Sequence, residues 1–329
     1  MSSGNLIIGI DGGGSKTRVA IADMAGSLLL YHEYPRAASR YKDHAAQENV
    51  HTAIHAALAK AGRSLSDVGG IAAGVAGFDK DEDLVWVQEL TNLPGLSCPR
   101  WHVNDAIVAH YGALVAKPGI VAISGTGSNI FSINESGAHL RNYDYYHYAP
   151  SAARFLSYET VYEVLAGHTD SSDQPLIDAM LRYWGAASLM ELNRIGLNGF
   201  RLGEQERNRV FASFAPTVTQ AALEGGSLAQ RVCNRAIHQL LVGIKLLARN
   251  FSSDPVPVAC IGSVILSPYF QHRLVELSGD SADAGFEIVT TQFPPAIGAI
   301  LYAMEQLQIP INDEVITTLE QARNLYEEE

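Results

Sequence analysis

The chain has 329 residues, room for about two domains. At 47% hydrophobic and 18% charged, it can fill sizeable cores and is not a disordered polar chain. A formal charge of −12 argues against a broad nucleic-acid surface, although backbone N–H groups can still hold one small phosphate.

The first elements form a β-meander. Residues 6–10 are an apolar run of strand length, broken by Gly12, Gly13 and Gly14. Residues 17–23 then alternate with Val19 and Ile21 on one face, a turn falls at Ala25-Gly26, and residues 27–33 resume strand character. From residue 44 to 61 the period changes to that of a helix, with Val50, Ile54, Ala57, Leu58 and Ala61 in one stripe. A buried strand over 70–75, a helix over 82–93, a short strand over 101–103 and a helix from Asn104-Asp105 complete this half.

After Lys117-Pro118-Gly119 the pattern begins again: a strand over 120–124, a turn Gly125-Thr126-Gly127-Ser128, a strand over 130–133 and another turn at 134–137. The repeated order predicts a structural duplication with a boundary near residue 118. Residues 151–251 read as mainly helical, and the clearest helix takes Ser227 as its N-cap. Strands follow over 256–261 and 286–290, then helices over 296–307 and 312–326, the last capped by Asn312. Glu327 to Glu329 read as a solvated tail.

Cys98, Cys233 and Cys260 are too few and too scattered for a disulfide framework and form no CxxC pair, so they read as free thiols of a reducing compartment. No basic-then-apolar leader opens the sequence, and no run of about 18 apolar residues spans a membrane. The expectation is a cytoplasmic protein without membrane or nucleic-acid partners, homodimeric by default because two-fold dimers are the commonest oligomers.

Four segments are able to carry chemistry. Gly9-Ile10-Asp11-Gly12-Gly13-Gly14-Ser15-Lys16-Thr17 nearly imitates a P-loop, but Ser15 separates the lysine from the second glycine and a strand follows instead of a helix. What remains is a strand–turn–strand whose N–H groups can form a phosphate-holding concavity, with Ser15, Lys16 and Thr17 as added donors and Asp11 placed to hold a hydrated Mg²⁺. A simple glycine turn explains the same residues. Gly125-Thr126-Gly127-Ser128-Asn129 is a second turn of this kind, and it is not a serine nucleophile elbow. Asn104-Asp105 sits between a strand and a helix. Helix capping accounts for the pair; the functional reading makes Asp105 a carboxylate at a sheet edge, able to accept a hydroxyl proton during attack on a γ-phosphate. Gly262, Ser263 and Ser267 lie in a strand-to-helix turn that suits an adenine and ribose or an ordinary connection equally.

Together these pieces resemble the actin-like sugar kinase superfamily, and more narrowly the N-acetylglucosamine kinase and BadF-type ATPase family. Residues 8–17 look like its first phosphate motif, Asn104-Asp105-Ala106 its connecting segment with the catalytic aspartate, 124–129 its second phosphate motif and 261–267 its adenosine motif. Gly77, in Gly74-Val75-Ala76-Gly77, looks like a glycine of the sugar-side loop. The resemblance implies an α/β fold of two ribonuclease-H-like domains with an interdomain cleft: residues 1–118 completed by helices over about 297–329, and 119–296 with a helical insertion. It implies ATP and Mg²⁺ as cofactors, a sugar acceptor, Asp105 as general base, Thr126 and Ser128 facing phosphates, and Asn104 and Asn129 near the sugar.

One stretch departs from that family. Where its members carry a Gly-Trp-Gly segment and a Gly-Asp-Glu-Gly-Ser type loop, this chain has Arg141-Asn142-Tyr143-Asp144-Tyr145-Tyr146-His147-Tyr148-Ala149-Pro150-Ser151-Ala152-Ala153. Asp144 is then the candidate for the missing carboxylate, and the tyrosines form either a stacking platform or a packed loop. The expectation is an N-acetylglucosamine or glucosamine kinase. The alternatives are a nucleotide or sugar sensor with little turnover, and an iron–sulfur ATPase activator, for which the three cysteines show no matching pattern.

Overall fold

The computed structural model describes residues 4–279 and 285–327. The chain divides into two compact units, one of residues 1–118 with 290–329, the other of residues 119–289.

In the first unit β1 (Leu6–Gly12) carries apolar residues on both faces and is buried throughout, as a central strand must be. It pairs antiparallel with β2 (Thr17–Asp23), which pairs antiparallel with β3 (Leu28–Tyr34). Helix α1 (Ala46–Lys60) packs its Val50, Ile54, Ala57 and Leu58 stripe on that meander. β4 (Val68–Val75) then runs parallel to β1, α2 (Leu84–Glu89) crosses over, and β5 (Arg100–Asn104) runs parallel to β4 and leads straight into α3 (Asp105–Leu114). The sheet order is β3-β2-β1-β4-β5.

The second unit repeats this plan. β6 (Gly119–Ser124), β7 (Ser128–Ile133) and β8 (His139–Arg141) form an antiparallel meander. Helices α4 (Ala153–Leu165), α5 (Gln174–Trp184), α6 (Leu189–Leu197), α7 (Glu204–Leu223) and α8 (Ser227–Ala248) follow. β9 (Val256–Ile261) returns parallel to β6; then come α9 (Pro268–Gly279) and β10 (Phe286–Val289), which runs parallel to β9. Its sheet order, β10-β9-β6-β7-β8, is the first unit's order read from the other edge, with the same strand directions. Its core includes Phe211, Phe214 and Phe270, all fully buried.

The chain ends with α10 (Pro295–Gln306), α11 (Asp313–Gln321) and α12 (Asn324–Glu327) in the first unit. Residues 290–296, expected with the second unit, belong to the first. The amides of Gln292 and Phe293 donate to the Ala113 and Gly112 carbonyls at the end of α3, which anchors this entry segment. Glycines admit α10 to its place: a Cβ on Gly9 would stand 2.2 Å from the Ala296 carbonyl oxygen, and one on Gly298 would stand 1.9 Å from that of Val108.

Three expectations are corrected. The helix over 82–93 is only six residues of α-helix, since Asn92, Pro94 and Gly95 follow and cannot extend it. Ser227 opens α8 but does not cap it: Asp173 caps from outside, accepting the Leu228 amide at 2.8 Å, while the Ser227 hydroxyl donates to Asp170. The helix over 312–326 breaks after α11, and Tyr326 turns back with its ring near Tyr31 and Phe293. Asn312 does cap α11, accepting the Val315 amide. The Met1-Ser2-Ser3 start and the tail at Glu328 and Glu329 lie outside the described residues. Among those described, no helix is long and apolar enough to cross a membrane.

Gly298→Ala is expected to cost about 1–3 kcal/mol, because backbone rather than a movable side chain receives the new methyl group. Gly203→Ala, with open space around it, should stay within about 0.5 kcal/mol of the parent in the same thermal unfolding measurement.

Candidate active site

Three carboxylates gather at the carboxyl edge of the first unit's parallel strands: Asp11 near the end of β1, Asp79 beyond β4 and Asp105 directly after β5. Asn104 organises them. Its Oδ1 accepts the Ala106 amide at 3.0 Å and caps α3, while its Nδ2 donates to the Phe78 carbonyl at 3.1 Å and to Asp79 Oδ1 at 3.2 Å. Asn104 is therefore a cap and a tether, with both Nδ2 hydrogens given to protein acceptors. Asp105, first residue of α3, has its carboxyl pushed up to about 7, first by burial and then by the negative charges of Asp11 and Asp79.

Asp11 is buried, and Arg18 Nη1 donates to its Oδ2 at 2.8 Å. Burial raises its pKa from the ordinary value, while the Arg18 charge opposes that rise. Asp11 Oδ1 has no partner among the described residues. Mg²⁺ keeps several waters and needs only one or two carboxylates beside substrate phosphates. The Asp11 carboxylate fits that demand, and no cluster of three or more metal-binding side chains is found among the described residues.

The first glycine turn is shaped by Gly13, whose amide donates to the Lys16 carbonyl while its own carbonyl accepts from Ala38. The packed Gly12 leaves no room for a side chain, a Cβ there falling 2.8 Å from that of Ala38. The amides of Gly14 and Ser15 have no partner among the described residues and are free to meet a phosphate. Of two expected side-chain donors, Thr17 is not available, being fully buried with its hydroxyl donated to the Arg36 carbonyl at 2.8 Å, while the Lys16 ammonium is paired with Glu33 at 2.7 Å. The Lys42 side chain also lies beside the turn, its Cγ 3.4 Å from where a Gly14 Cβ would stand.

In the second unit, parallel pairing of β6 with β9 brings two motifs into contact. The Ser124 carbonyl accepts the amides of Val264 and Ile265, and a Cβ on Gly262, at φ +109°, would stand 2.5 Å from that same oxygen. Only glycine fits there. Gly125 packs on Gly262 and Ser263, while Thr126 and Gly127 are exposed with unbonded amides. Ser263 is exposed beside them; the Ser267 hydroxyl is spent on the Val264 carbonyl at 2.6 Å and only shapes the loop. Ser128 donates its hydroxyl to the Ala149 carbonyl at 2.7 Å, and Asn129 Oδ1 is buried without a partner among the described residues.

The divergent stretch folds back on this turn. Tyr143 donates its hydroxyl to the Ser128 carbonyl at 2.6 Å, and its ring centroid lies 5.4 Å from that of Tyr148, which is well exposed. Asp144 does not reach out as a replacement carboxylate: it accepts the Arg141 amide at 2.7 Å and closes a short 3₁₀ turn. Gly77, at φ +86°, faces Tyr41 and Ser39, so packing within the loop accounts for it. Sequence reading missed Arg18, Asp79, Lys42 and Arg154, the last donating to the Thr126 carbonyl at 3.3 Å. The two-residue period gives Arg18, on β2, the same side as Lys16 just before it; no comparable signal marks the other three.

Fold and sequence comparisons agree on the class. A candidate N-acetylglucosamine kinase from Chromobacterium violaceum matches with a TM-score of 0.71 at 22% identity, covering 92% of this chain and 99% of that one. A ROK family glucokinase from Streptomyces griseus, solved with glucose and AMPPNP, matches with a TM-score of 0.53 at 17% identity over 91% of this chain and 98% of that one. The two units are thus ribonuclease-H-like units of the actin-like ATPase fold. Residues 8–303 match the BadF/BadG/BcrA/BcrD ATPase family, and the chain belongs to it. Among its relatives is an N-acetylmuramic acid/N-acetylglucosamine kinase of Clostridium acetobutylicum, 26% identical over 79% of this chain and 85% of the relative. An N-acetyl-D-glucosamine kinase of Dictyostelium discoideum is 25% identical over 92% of this chain and 98% of its own length.

Asn104→Ala removes a cap worth about 1 kcal/mol and also frees the Phe78–Asp79 loop, so its melting temperature should fall by several degrees. Asn104→Asp keeps a cap but sets a new negative charge beside Asp79 and Asp105. Its loss of stability should be larger at pH 8 than at pH 5, as followed by circular dichroism.

Proposed function

We propose that this protein is an ATP-dependent sugar kinase whose acceptor is a hexosamine, N-acetylglucosamine first and glucosamine next. Asp105 carries the reading: a carboxyl group with a pKa of about 7, held rigidly at the start of a helix, suits a general base. Unbonded amides at Gly14, Ser15, Thr126 and Gly127 supply directed donors for phosphate oxygens. The family membership and the named relatives lean the same way.

In the proposed step the Asp105 carboxylate takes the proton of an acceptor hydroxyl as that oxygen forms a bond to the γ-phosphorus. The bond from the γ-phosphorus to the bridging oxygen breaks, and ADP leaves with the electron pair. Little covalent work falls to the protein, so positioning and charge neutralisation dominate. Mg²⁺, held through waters near Asp11, would neutralise charge on the phosphates. Tyr143 and Tyr148 offer apolar faces against which a pyranose ring can stack.

A second reading, a nucleotide and sugar sensor without turnover, draws on Asp144: the divergent loop presents no free carboxylate in place of the acidic pair. ADP release with Mg²⁺ over N-acetylglucosamine, glucosamine and N-acetylmuramic acid separates the two, since a sensor binds without forming product.

Asp105→Asn should lower kcat by about 10²- to 10⁴-fold. In the parent, kcat/KM should fall tenfold for each pH unit below about 7, where the carboxyl becomes protonated. Stability moves the other way. The folded-state pKa lies above the ordinary 3.8, so the charged group costs stability as pH rises from about 4 to about 7. Asp105→Asn should therefore match the parent's melting temperature near pH 4 and exceed it at pH 8. Unchanged turnover in this variant would remove the assigned base.

A further inference from the structure

The second glycine turn, Gly125-Thr126-Gly127-Ser128, contains no cation of its own, yet one is fastened to it from outside. Arg154, the second residue of α4, donates from Nη1 to the Thr126 carbonyl at 3.3 Å, and its Cζ lies 4.3 Å over the ring of Phe155. These contacts fix a half-buried guanidinium against the turn, and no carboxylate pairs with it among the described residues. Arg18 is paired with Asp11 and Glu33 and Arg273 with Glu276, whereas Arg207, like Arg154, donates to backbone carbonyls. In a chain of 35 acidic and 23 basic residues, what distinguishes Arg154 is its place: it has no counter-ion among the described residues and is held against a glycine turn whose Thr126 and Gly127 amides are exposed.

Other donors stand beside it. The helix α4 begins at Ala152 without a side-chain cap, and the Arg154 amide has no partner among the described residues. Ser151 is fully buried and its hydroxyl is unbonded. The Ala153 amide donates to the Gly125 carbonyl at 2.8 Å, which ties the start of α4 to the turn. Unbonded amides, a buried hydroxyl, a helix N-terminus and a guanidinium all favour an oxyanion.

Position identifies which oxyanion. The Gly262–Ser263 loop meets the turn from the β9 side, and α4 meets it with the loop that packs on β7, the other neighbour of β6. A nucleoside lodged at Gly262 and Ser263 would run its phosphates along the turn and bring the terminal one to the α4 side. We propose that Arg154 is a catalytic residue that binds the terminal phosphoryl group of ATP and stabilises the charge on its oxygens during transfer. This rests on the kinase reading for the transfer step, but the binding part stands by itself.

The experiment measures binding and turnover separately. Calorimetric titration of the full chain with ATP and with ADP, each with Mg²⁺, is compared for the parent, Arg154→Met and Arg154→Lys. Arg154→Met should weaken ATP about tenfold or more and ADP less than threefold, with Arg154→Lys between it and the parent. A merely structural role would weaken both nucleotides alike. With N-acetylglucosamine as acceptor, Arg154→Met should lower kcat at least about 10²-fold with little change in KM for the sugar. Equal losses for ATP and ADP, or an unchanged ATP affinity, would overturn the assignment. So would an effect confined to KM for a carboxylate-bearing sugar, which would give the cation to the acceptor. If the parent turns over no sugar at all, the kinase reading fails while the ATP–ADP difference still decides the binding claim.

Discussion

Everything proposed for the first unit depends on the side-chain amide of Asn104. One group ends β5, starts α3 and holds the Phe78–Asp79 loop, using its acceptor inward and both donors outward. Asp105 can be partly desolvated beside two other carboxylates only because the backbone around it is pinned on both sides. Without that pin, the repulsion that raises the Asp105 pKa would be relieved by movement, and the carboxyl group would return toward its ordinary acidity.

The two units show one sheet plan serving two chemistries. Each places a turn between its first two strands and runs two further strands parallel to the first. In the first unit the turn adjoins acids, and its strand cations are consumed: Lys16 by Glu33, Arg18 by Asp11 and Glu33. In the second, the turn is neutral, packs on a glycine loop from β9 and receives Arg154 from the helical insertion.

Much of the architecture was legible in the chain because it rests on local signals. Apolar runs followed by glycines marked β1 and β6, the change of period marked α1, and Asn312 was visible as a cap. Where reading failed, a distant partner had replaced a local one. The cap of α8 comes from Asp173, more than fifty residues earlier, instead of Ser227. Thr17 looked like a free donor beside a glycine turn, but the carbonyl of Arg36 had already taken its hydroxyl. Asp144 stood at the right place in the order of the chain, yet its nearest donor was its own loop.

Sequence alone marked most of the strands and the longer helices, their duplicated order, and the short stretches rich in glycine and acid that became candidates for chemistry. Those properties follow from residue spacing, turn preference and the exclusion of apolar side chains from water, which act over a few residues at a time. Only the folded chain decided which polar atoms remain unspent. A single donor is spent once: the Thr17 hydroxyl given to Arg36 is lost to a ligand, and a guanidinium from α4 becomes part of a turn some twenty-eight residues away only once the backbone has brought them together.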